Sequence, residues 1–295
     1  MNSVGWIGTG VMGGNMCKHL LDAGYNVNVY NRTPSKAEPL IKQGAIWCSS
    51  PAEVARQSTF IFTIVGYPKD VEALILGGDG VVENAEKGSY VIDMTTSTPA
   101  LAEQIYTVAA QKGIKVLDAP VSGGDIGAKA GSLAIMAGGD KGTYDVVMPY
   151  FDLMGENIAF MGGPGKGQHT KMSNQILIAG TMIGVVESLL YAHKSDMNLE
   201  AVIDVIGKGA ASSWSINQLG SKIARGDYEP GFFIKHFVKD MRIALDESRR
   251  MQLSLPGLAL AEQFYTSAMS LGYEDLGTQG LYKVFELMNG MESIH

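Results

Sequence analysis

The sequence predicts an α/β domain built on a doubly wound parallel sheet, followed by an all-helical C-terminal domain. In the first half of the chain, short apolar runs alternate with segments of helical periodicity, the pattern of a parallel sheet covered by helices on both faces. After about residue 163 the chain consists of long helical segments rich in Ala, Leu, Ile and Met, with no convincing strand. We therefore expect two domains, residues 1–163 and residues 164–295.

The elements of the first domain are predicted from apolar runs and from helix boundary residues. One helix follows the first strand at 11–23, a second lies in "PSKAEPLIKQG" and ends at Gly44, and a third occupies 98–113. The third has Thr98 as its cap and Pro99 at its first position, where these residue types are favoured. The predicted strands are residues 3–8, 25–31, 58–65, 89–94, 114–120 and 133–139.

The elements of the second domain are predicted from apolar residues at helical spacing. Breaks fall at "GKGAASS", "RGDYEPGF" and "MQLSLPG", where glycine, proline and small polar residues cluster. The predicted helices are residues 168–194, 199–208, 213–225, 233–251, 257–271 and 277–288.

The composition is that of a globular protein with a large core, because 46% of the residues are apolar and 18% are charged. The net charge of −7 argues against nucleic acid and anionic membrane surfaces as partners. The longest apolar stretch, at 176–192, is interrupted by Glu187. We interpret it as a buried helix that is too short and too interrupted to span a membrane.

Metal binding and secretion are not expected from the sequence. Cys17 and Cys48 are the only cysteines, and they form no C-x-x-C pair, so a disulfide framework or a structural zinc site is not predicted. The five histidines are scattered, and we expect no metal. The N-terminus has no basic segment before its first apolar run, so we expect no signal peptide and a cytoplasmic protein.

A glycine-rich turn, "GWIGTGVMGGNM", lies near the N-terminus and contains Gly8, Gly10 and Gly13 as G-x-G-x-x-G. It stands between a predicted strand and a helix that begins near Val11, the context in which this spacing indicates dinucleotide binding. The first glycine allows a tight turn, the second lets the backbone approach a pyrophosphate, and the third lets the helix pack closely. We assign this turn, with Val11 and Met12, to the cofactor phosphates; a glycine turn without a ligand is the alternative.

The end of the second predicted strand indicates which dinucleotide binds. An NAD site usually has Asp or Glu there to accept hydrogen bonds from the ribose hydroxyls, whereas this chain has Asn31, Arg32 and Thr33. An arginine pairs with a 2′-phosphate, a threonine donates a hydroxyl, and Lys36 lies one helical turn further. We therefore predict that the protein prefers NADP(H) and that NAD(H) is possible. In the alternative, Arg32 is an ordinary surface residue and either cofactor is used.

Two later segments carry candidate substrate-binding and catalytic residues. "DAPVSGG" offers Ser122, Gly123 and Gly124 after a strand, where freed backbone N–H groups and one hydroxyl can hold a carboxylate; a loop that merely needs glycine is the alternative. Lys171 and Asn174 lie at i and i+3 on a predicted helix at the domain junction. A buried lysine serves as a proton donor or acceptor, and an amide at i+3 can hold the substrate hydroxyl or orient the lysine.

With these motifs the chain resembles the β-hydroxyacid dehydrogenase family, which includes 3-hydroxyisobutyrate dehydrogenase, tartronate semialdehyde reductase and glyoxylate/succinic semialdehyde reductases. Four motifs match in order over essentially the whole chain: "GWIGTGVMGGNM", "DAPVSGG", "GKGQHTKMSN" and "HFVKDMRIAL". The resemblance implies an N-terminal Rossmann-type domain. It also implies that Lys171 is the catalytic lysine, that Asn174 is its neighbouring amide, and that residues 122–124 bind the substrate carboxylate.

The resemblance implies further contacts. Thr96 matches a position that contacts both nicotinamide and substrate, and Lys239 matches a lysine that contacts the cofactor. Residues on the approach to the substrate pocket are Phe232, His236 and Asp240, and Trp214 lines the same approach.

One segment departs from the commonest pattern of the family. Many members have an apolar residue and proline after the strand at 60–65, whereas this chain has "IVGYP". Val65 and Gly66 are still expected near the nicotinamide ribose, but Tyr67 and Pro68 give the loop a shape of its own. The substrate therefore cannot be copied from the named relatives.

The resemblance implies an NAD(P)-dependent oxidoreductase that transfers hydride between nicotinamide and a small 3-hydroxy acid, semialdehyde or 2-oxo acid. Two alternatives stay open: a 6-phosphogluconate dehydrogenase-like oxidative decarboxylase, for which the helical half is short, and a non-catalytic cofactor-binding module, in which Lys171 would not be needed. The helices carry more apolar surface than about 130 residues bury alone. We therefore expect a homodimer or a homotetramer.

Overall fold

The computed structural model describes residues 3–291 and divides into two compact units, with the boundary in sequence between Lys171 and Met172. In the described residues the first unit is built on one nine-stranded sheet. Its strands are β1 (Val4–Ile7), β2 (Val27–Tyr30), β3 (Ile46–Trp47), β4 (Phe60–Thr63), β5 (Tyr90–Asp93), β6 (Lys115–Asp118), β7 (Val121–Ser122), β8 (Leu133–Gly139) and β9 (Gly155–Gly162).

The sheet is doubly wound. Strands β3, β2, β1, β4, β5 and β6 lie in that order and all pair in parallel. Strand β8 pairs antiparallel with β6 and β7 and parallel with β9. The winding direction reverses between β1 and β4, and ligands of such sheets bind outside the carboxyl ends of the strands at this reversal.

Helices cover both faces of this sheet, and several begin with a side-chain cap. The hydroxyls of Ser50 and Thr98 accept hydrogen bonds from Glu53 N and Leu101 N, which satisfies N–H groups that have no partner inside the helix. The helices of the first unit are α1 (Val11–Asp22), α2 (Glu38–Ile41), α3 (Pro51–Arg56), α4 (Pro68–Leu76), α5 (Val81–Asn84), α6 (Pro99–Gln111), α7 (Gly124–Ala130) and α8 (Lys141–Phe151), with a 3₁₀ turn at Pro34–Lys36.

Alternate strand residues build the two apolar layers of the first unit. On one face Trp6 stacks on Phe62, with ring centroids 5.6 Å apart. On the other face Ile7 and Ile61 pack into a separate buried cluster. The strands at the centre of the sheet are therefore apolar on both faces, as a parallel sheet between two helical layers requires.

The second unit is helical, and its core includes Leu189, Phe237, Tyr265 and Tyr282, all fully buried. A helix that begins in the first unit, α9 (Lys166–Lys194), continues into the second unit. The remaining elements are α10 (Leu199–Ile206), a π-helical segment (Ser215–Gly220), α11 (Ser221–Ala224), α12 (Ile234–Arg250), α13 (Pro256–Ser270), a 3₁₀ turn (Thr278–Gly280) and α14 (Leu281–Met288).

The predicted fold class is confirmed, with differences in individual elements. All six predicted strands are present, but β3, β7 and β9 were not predicted. Strands β3 and β7 have two residues each and carry no period, and in β9 only Gly155 is fully buried, so that no apolar alternation marks it. The single helix predicted at 213–225 is a π-helical segment followed by a short α-helix. The helix predicted in "PSKAEPLIKQG" is likewise divided into a 3₁₀ turn and α2.

Helix α9 begins two residues before the helix predicted at 168–194 and extends beyond the apolar stretch at 176–192 on both sides. It has 29 residues, and by length and composition alone it could cross a membrane, so the expectation that this segment is too short is wrong. Of its most apolar 18-residue window, 39% is buried inside the protein. Ala179, Val186 and Leu189 on this helix belong to the core of the second unit, so a core helix remains our interpretation.

Candidate cofactor and catalytic site

The glycine turn lies at the reversal point of the sheet, between β1 and α1. Gly8 has a φ of +103°, and a Cβ there would lie 2.0 Å from the carbonyl oxygen of Ile64. A Cβ on Gly13 would lie 2.1 Å from Gly8 O. A Cβ on Gly10, in contrast, would meet no protein atom within 4 Å. Gly8 and Gly13 are therefore required by the fold, whereas Gly10 leaves a space that a ligand's pyrophosphate can use.

The side chain of Asn31 ties this turn to the loop after β2. Its Oδ1 accepts a hydrogen bond from Thr9 N at 2.9 Å, and its Nδ2 donates to Thr33 O at 2.8 Å. Thr9 Oγ1 is buried, and within residues 3–291 it makes no hydrogen bond. This buried hydroxyl and the space at Gly10 fit a phosphate-bearing cofactor at this turn.

The loop after β2 exposes the residues predicted to recognise a 2′-phosphate. The side chain of Arg32 is 85% exposed, and Thr33 and Lys36 are exposed as well. Arg32 Nη1 lies 3.3 Å from Oδ1 of Asp70, in the first turn of α4. Asp70 was not among the predicted residues, because 38 residues separate it from Arg32 in the sequence.

Hydrogen bonds among polar side chains hold the loops that follow β4 and β5. Thr63 Oγ1 donates to Asp93 Oδ1 at 2.8 Å, and the same oxygen accepts from Thr95 N at 3.1 Å. Thr95 Oγ1 in turn accepts from Val65 N at 3.0 Å. The predicted cofactor residues Val65, Gly66 and Thr96 thus stand on two loops that are bonded to each other, and all three are half-buried.

The predicted carboxylate loop follows the end of β7. Gly123 and Gly124 have φ values of +133° and +64°, a left-handed region that side chains other than glycine rarely adopt. Ser122 is half-buried at the last position of β7. The backbone turn itself requires glycine at both positions, so neither Gly123 nor Gly124 carries a side chain that could cover its own N–H group.

The first turn of α9 is attached to the sheet by Asp118, the last residue of β6. Asp118 Oδ1 accepts from Gly165 N at 2.9 Å, and its Oδ2 accepts from Gln168 N at 2.8 Å. A Cβ on Gly167 would lie 2.4 Å from the carbonyl oxygens of Asp118 and Met136. The start of α9 is therefore held against the sheet as closely as a backbone can approach.

Burial raises the pKa of Asp118 to about 6, although the two backbone N–H groups act in the opposite direction. The side chain is 4% exposed, so the loss of hydration outweighs the hydrogen bonds to the charged form.

Gln168 attaches the same turn to the loop after β5. Its Oε1 accepts from Ser97 N at 2.9 Å, and its Nε2 donates to Thr95 O at 2.8 Å. Lys171 follows one helical turn later and is only 6% exposed. The backbone that carries the predicted catalytic lysine is thus fixed to β6 and to the loop that carries Thr96.

In the second unit, four polar side chains, two of them buried and two half-buried, form a chain of contacts. Asn174 Nδ2 donates to Gln175 Oε1 at 2.8 Å, and Gln175 Nε2 donates to Asp240 Oδ2 at 2.7 Å. Lys239 Nζ lies 3.1 Å from Asp240 Oδ1, an ion pair whose angles are not those of a hydrogen bond. The structure thereby brings together three predicted residues, Asn174, Lys239 and Asp240, through Gln175, which was not predicted.

The remaining predicted residues of the second unit lie near the start of α12 or before the π-helical segment. The Phe232 ring packs edge-on against Phe237, with centroids 5.9 Å apart. Burial lowers the pKa of His236, and the positive charge of Lys239 adds to the effect, so this imidazole is neutral at pH 7. Trp214 is 56% exposed and directly precedes the π-helical segment.

Within residues 3–291, no group of three or more His, Cys, Asp or Glu side chains is arranged to hold a metal ion.

Two family models together cover the described units. Residues 3–163 match the NAD binding domain of 6-phosphogluconate dehydrogenase, and residues 165–285 match the NAD-binding domain of NADP-dependent 3-hydroxyisobutyrate dehydrogenase. The chain belongs to the β-hydroxyacid dehydrogenase family. It is thus an NAD(P)-dependent oxidoreductase of the hydroxyacid dehydrogenase type, as the sequence motifs predicted.

Relatives within the β-hydroxyacid dehydrogenase family match nearly the whole chain. A probable 3-hydroxyisobutyrate dehydrogenase-like mitochondrial protein of Arabidopsis thaliana is 51% identical over 98% of this chain and 86% of its own length. The 2-hydroxy-3-oxopropionate reductase of Escherichia coli is 34% identical over 97% of each chain. A solved structure, Psf3 in complex with NADP⁺ and 2-OPP, is 26% identical, covers 96% of this chain and 99% of its own, and has a TM-score of 0.89.

The β-hydroxyacid dehydrogenase motifs contained two of the residues that sequence reasoning did not select. Asp118 opens "DAPVSGG", and Gln168 lies in "GKGQHTKMSN". Their signal was a polar residue at the end of a predicted strand for Asp118, and a polar residue after a glycine at a helix start for Gln168. Their burial, and the partners they bond, could not be inferred from that position.

Proposed function

We propose that this protein is an NADP(H)-preferring oxidoreductase that interconverts a small 3-hydroxy acid with its semialdehyde, or a hydroxy acid with its 2-oxo acid. Lys171 acts as general acid and base. The observation that carries this proposal is the placement of Lys171, 6% exposed, one turn after the anchored start of α9. A lysine held in this way exchanges its proton with a bound substrate oxygen more readily than with bulk water.

The nicotinamide cofactor supplies or accepts the hydride when it is bound. Gly8, Gly10 and Gly13 hold its pyrophosphate, with Val11 and Met12 in the first turn of α1. Asn31 shapes the loop on which Arg32, Thr33 and Lys36 bind the 2′-phosphate. Around the nicotinamide, the proposed contacts are Val65, Gly66, Thr96 and Lys239.

The substrate carboxylate binds to the hydroxyl of Ser122 and the backbone of Gly123 and Gly124. In the reducing direction, Lys171 gives a proton to the oxygen of the former carbonyl; in oxidation, it removes the hydroxyl proton. Asn174, one turn further along α9, orients that oxygen. Further proposed substrate contacts are Thr96, Phe232, His236 and Asp240.

The substrate class is tested by offering the purified protein four acids with either NADPH or NADH. These are glyoxylate, succinic semialdehyde, methylmalonate semialdehyde and tartronate semialdehyde, the last being the compound named in the E. coli relative. We expect oxidation of NADPH with at least one acid, and a higher kcat/KM with NADPH than with NADH. No turnover with any acid contradicts the proposed reaction.

The same assay tests the oxidative decarboxylase alternative, because residues 3–163 match the NAD binding domain of 6-phosphogluconate dehydrogenase. With 6-phosphogluconate and NADP⁺, the proposal predicts neither NADPH formation nor CO₂ release. Release of CO₂ would favour the oxidative decarboxylase. Tight NADPH binding with no turnover of any compound would favour a non-catalytic cofactor-binding module.

We also propose that the protein is a homodimer or homotetramer and acts in the cytoplasm. Exposed apolar residues on α9, including Leu177 at 72% and Tyr191 at 75%, support the assembly. The compartment is tested by fractionating cells that express the untagged protein, where recovery with membranes or organelles would contradict a cytoplasmic location.

A further inference from the structure

The hydrogen bonds among Asn174, Gln175 and Asp240 have a defined direction. An ionised carboxylate can only accept hydrogen bonds, so Gln175 must present its Nε2 to Asp240, at 2.7 Å. The planar amide of Gln175 then presents Oε1 on its other side, toward Asn174. Asn174 must therefore donate from Nδ2. The carboxylate of Asp240 thus determines the orientation of both amides, that is, which side of each carries the oxygen and which the nitrogen.

Gln175 and Asp240 are buried, which makes the direction of their hydrogen bond costly to reverse. Gln175 and Asp240 are each 1% exposed, and Lys239, which balances the carboxylate charge, has a side chain that is 12% exposed. In such surroundings an unpaired donor or acceptor loses its hydration without compensation. A rotated Gln175 would place its carbonyl oxygen against the carboxylate of Asp240 and would leave both amide contacts unmade.

The length of the Gln175 side chain is part of the arrangement. Side chains at consecutive helical positions do not face each other, yet Gln175 bonds to Asn174, the residue before it, and to Asp240 on α12. Only a side chain that extends from the helix and turns back with its amide can reach both partners. Asparagine at this position would be one methylene shorter.

We propose that Gln175 is a positioning residue for the reaction, holding the Asn174 amide so that its second Nδ2–H donates to the reacting substrate oxygen. This inference rests on the proposed function, in which Asn174 orients that oxygen. An N–H donor at the oxygen stabilises the charge that develops there and leaves the hydroxyl proton directed at Lys171. With the amide reversed, Asn174 Oδ1 would face the oxygen and repel it. Besides the substrate contact proposed for it above, Asp240 acts through Gln175.

A double-mutant cycle with Asn174→Ala and Gln175→Leu tests the coupling. Kinetics are measured with the acid accepted in the substrate assay, and NADP⁺ binding is measured by fluorescence. We expect Gln175→Leu to lower kcat roughly 10-fold or more in the otherwise unchanged protein, with the Kd for NADP⁺ unchanged. In the Asn174→Ala background the same substitution should change kcat less than about twofold. Equal effects of Gln175→Leu in both backgrounds would overturn the inference.

A failure of the inference is distinguishable from a failure of the proposed function. If Asn174→Ala lowers kcat and Gln175→Leu does not, Asn174 keeps its role and Gln175 has none. If Asn174→Ala leaves kcat unchanged, the role proposed for Asn174 is wrong, and the inference is overturned with it.

Exchanging the amide and the carboxylate between positions 175 and 240 provides a second test, which is needed if Gln175→Leu fails to fold. Gln175→Glu alone places two carboxylates together, and Asp240→Asn alone lets Gln175 rotate, so both single variants should lose kcat. In the double variant the new amide at 240 donates to the new carboxylate at 175, which still accepts from Asn174. We expect recovery of kcat to within about threefold of the unsubstituted protein. No recovery relative to either single variant would contradict the directional role.

Discussion

Arg32 and Asp70 form an ion pair between the loop after β2 and the first turn of α4, with Nη1 and Oδ1 3.3 Å apart. The guanidinium proposed to bind the 2′-phosphate of NADP(H) is therefore already shared with a carboxylate. The Arg32 side chain is 85% exposed and that of Asp70 is 23% exposed, so the pair contributes little stability. A dianionic phosphate can displace the carboxylate, but the negative charge of Asp70 still opposes its binding.

Replacing Asp70 with Asn is expected to strengthen NADP⁺ binding. The uncharged amide keeps the size of the side chain and removes both the competition for Arg32 and the repulsion of the phosphate. We expect the Kd for NADP⁺ to fall roughly threefold to tenfold at low salt, with little change for NAD⁺, measured by fluorescence titration. Arg32→Ala is the matched control and should weaken NADP⁺ more than NAD⁺. Equal changes for the two cofactors would contradict the 2′-phosphate role.

Substitutions at two glycines of the turn should have different effects, because Gly13 is needed for folding and Gly10 is proposed to be needed for cofactor binding. Gly13→Ala places a Cβ 2.1 Å from Gly8 O, so we expect a loss of several kcal/mol of stability or failure to fold. Gly10→Ala meets no protein atom within 4 Å, and its φ of −69° suits alanine. We expect an unchanged thermal midpoint for Gly10→Ala and a large rise in the Kd for NADP⁺. Unchanged NADP⁺ binding by this variant would contradict the assignment of the turn to the pyrophosphate.

The raised pKa of Asp118 should give the protein a characteristic pH dependence. Deprotonation costs more in the folded than in the unfolded state, because the pKa rises from 3.8 to about 6 on folding. The contribution of Asp118 to the free energy of unfolding is therefore fully present below about pH 4 and is lost as the pH rises through 6. At about 1.4 kcal/mol per pKa unit, the loss amounts to about 3 kcal/mol.

Comparison with Asp118→Asn isolates this contribution, because asparagine does not titrate. The free energy of unfolding is measured in urea at several pH values for both proteins. We expect the stability of the unsubstituted protein relative to Asp118→Asn to decline between pH 4 and pH 7. A difference that is constant, or that rises with pH, would mean that the carboxylate is not disfavoured by burial.

Assembly is expected to use the exposed side of α9. Exposed residues recur on this helix at intervals of three and four positions, which places them on one face, and the face includes both small and large apolar side chains. We define this α9 face as Ser173, Leu177, Gly180, Gly184, Glu187 and Tyr191.

Light scattering after size exclusion is expected to give two or four times the chain mass of 31.5 kDa. Leu177→Glu should lower that mass, because it replaces a large apolar side chain of the α9 face with a carboxylate that has no designed partner, which is costly to bury against a second copy. Leu253→Glu, at a position that is 53% exposed after α12, is the matched control and should not. A monomeric mass for the unsubstituted protein would contradict the proposed assembly.

The sequence indicated those parts of the candidate site that depend on local backbone geometry. Gly8 and Gly13 could be selected from their spacing between a strand and a helix, and the positive φ of Gly8 and the close approach of Gly13 to Gly8 O agree with a tight turn. Residues 123 and 124 could be selected because consecutive glycines mark an unusual turn, and both have positive φ values. The cofactor, substrate and catalytic roles of these residues and of Lys171 stay predictions.

The parts that depend on pairing over long sequence distances were not predicted. Gln175 and Asp240 are 65 residues apart, and Gln168 and Thr95 are 73 apart. Residue type alone does not distinguish a buried polar side chain from an exposed one, because the tertiary fold determines its burial. The residues that position the proposed catalytic groups therefore became visible in the structure alone.

The role of Lys171 is the central claim, and single-turnover oxidation of NADPH by Lys171→Ala with an accepted acid tests it most directly. We expect the rate to fall roughly 100-fold to 10,000-fold, while the Kd for NADPH stays within about twofold of the unsubstituted protein. Added methylamine should restore part of the rate, since a small amine can supply the missing proton. A variant that keeps the full rate would contradict the account.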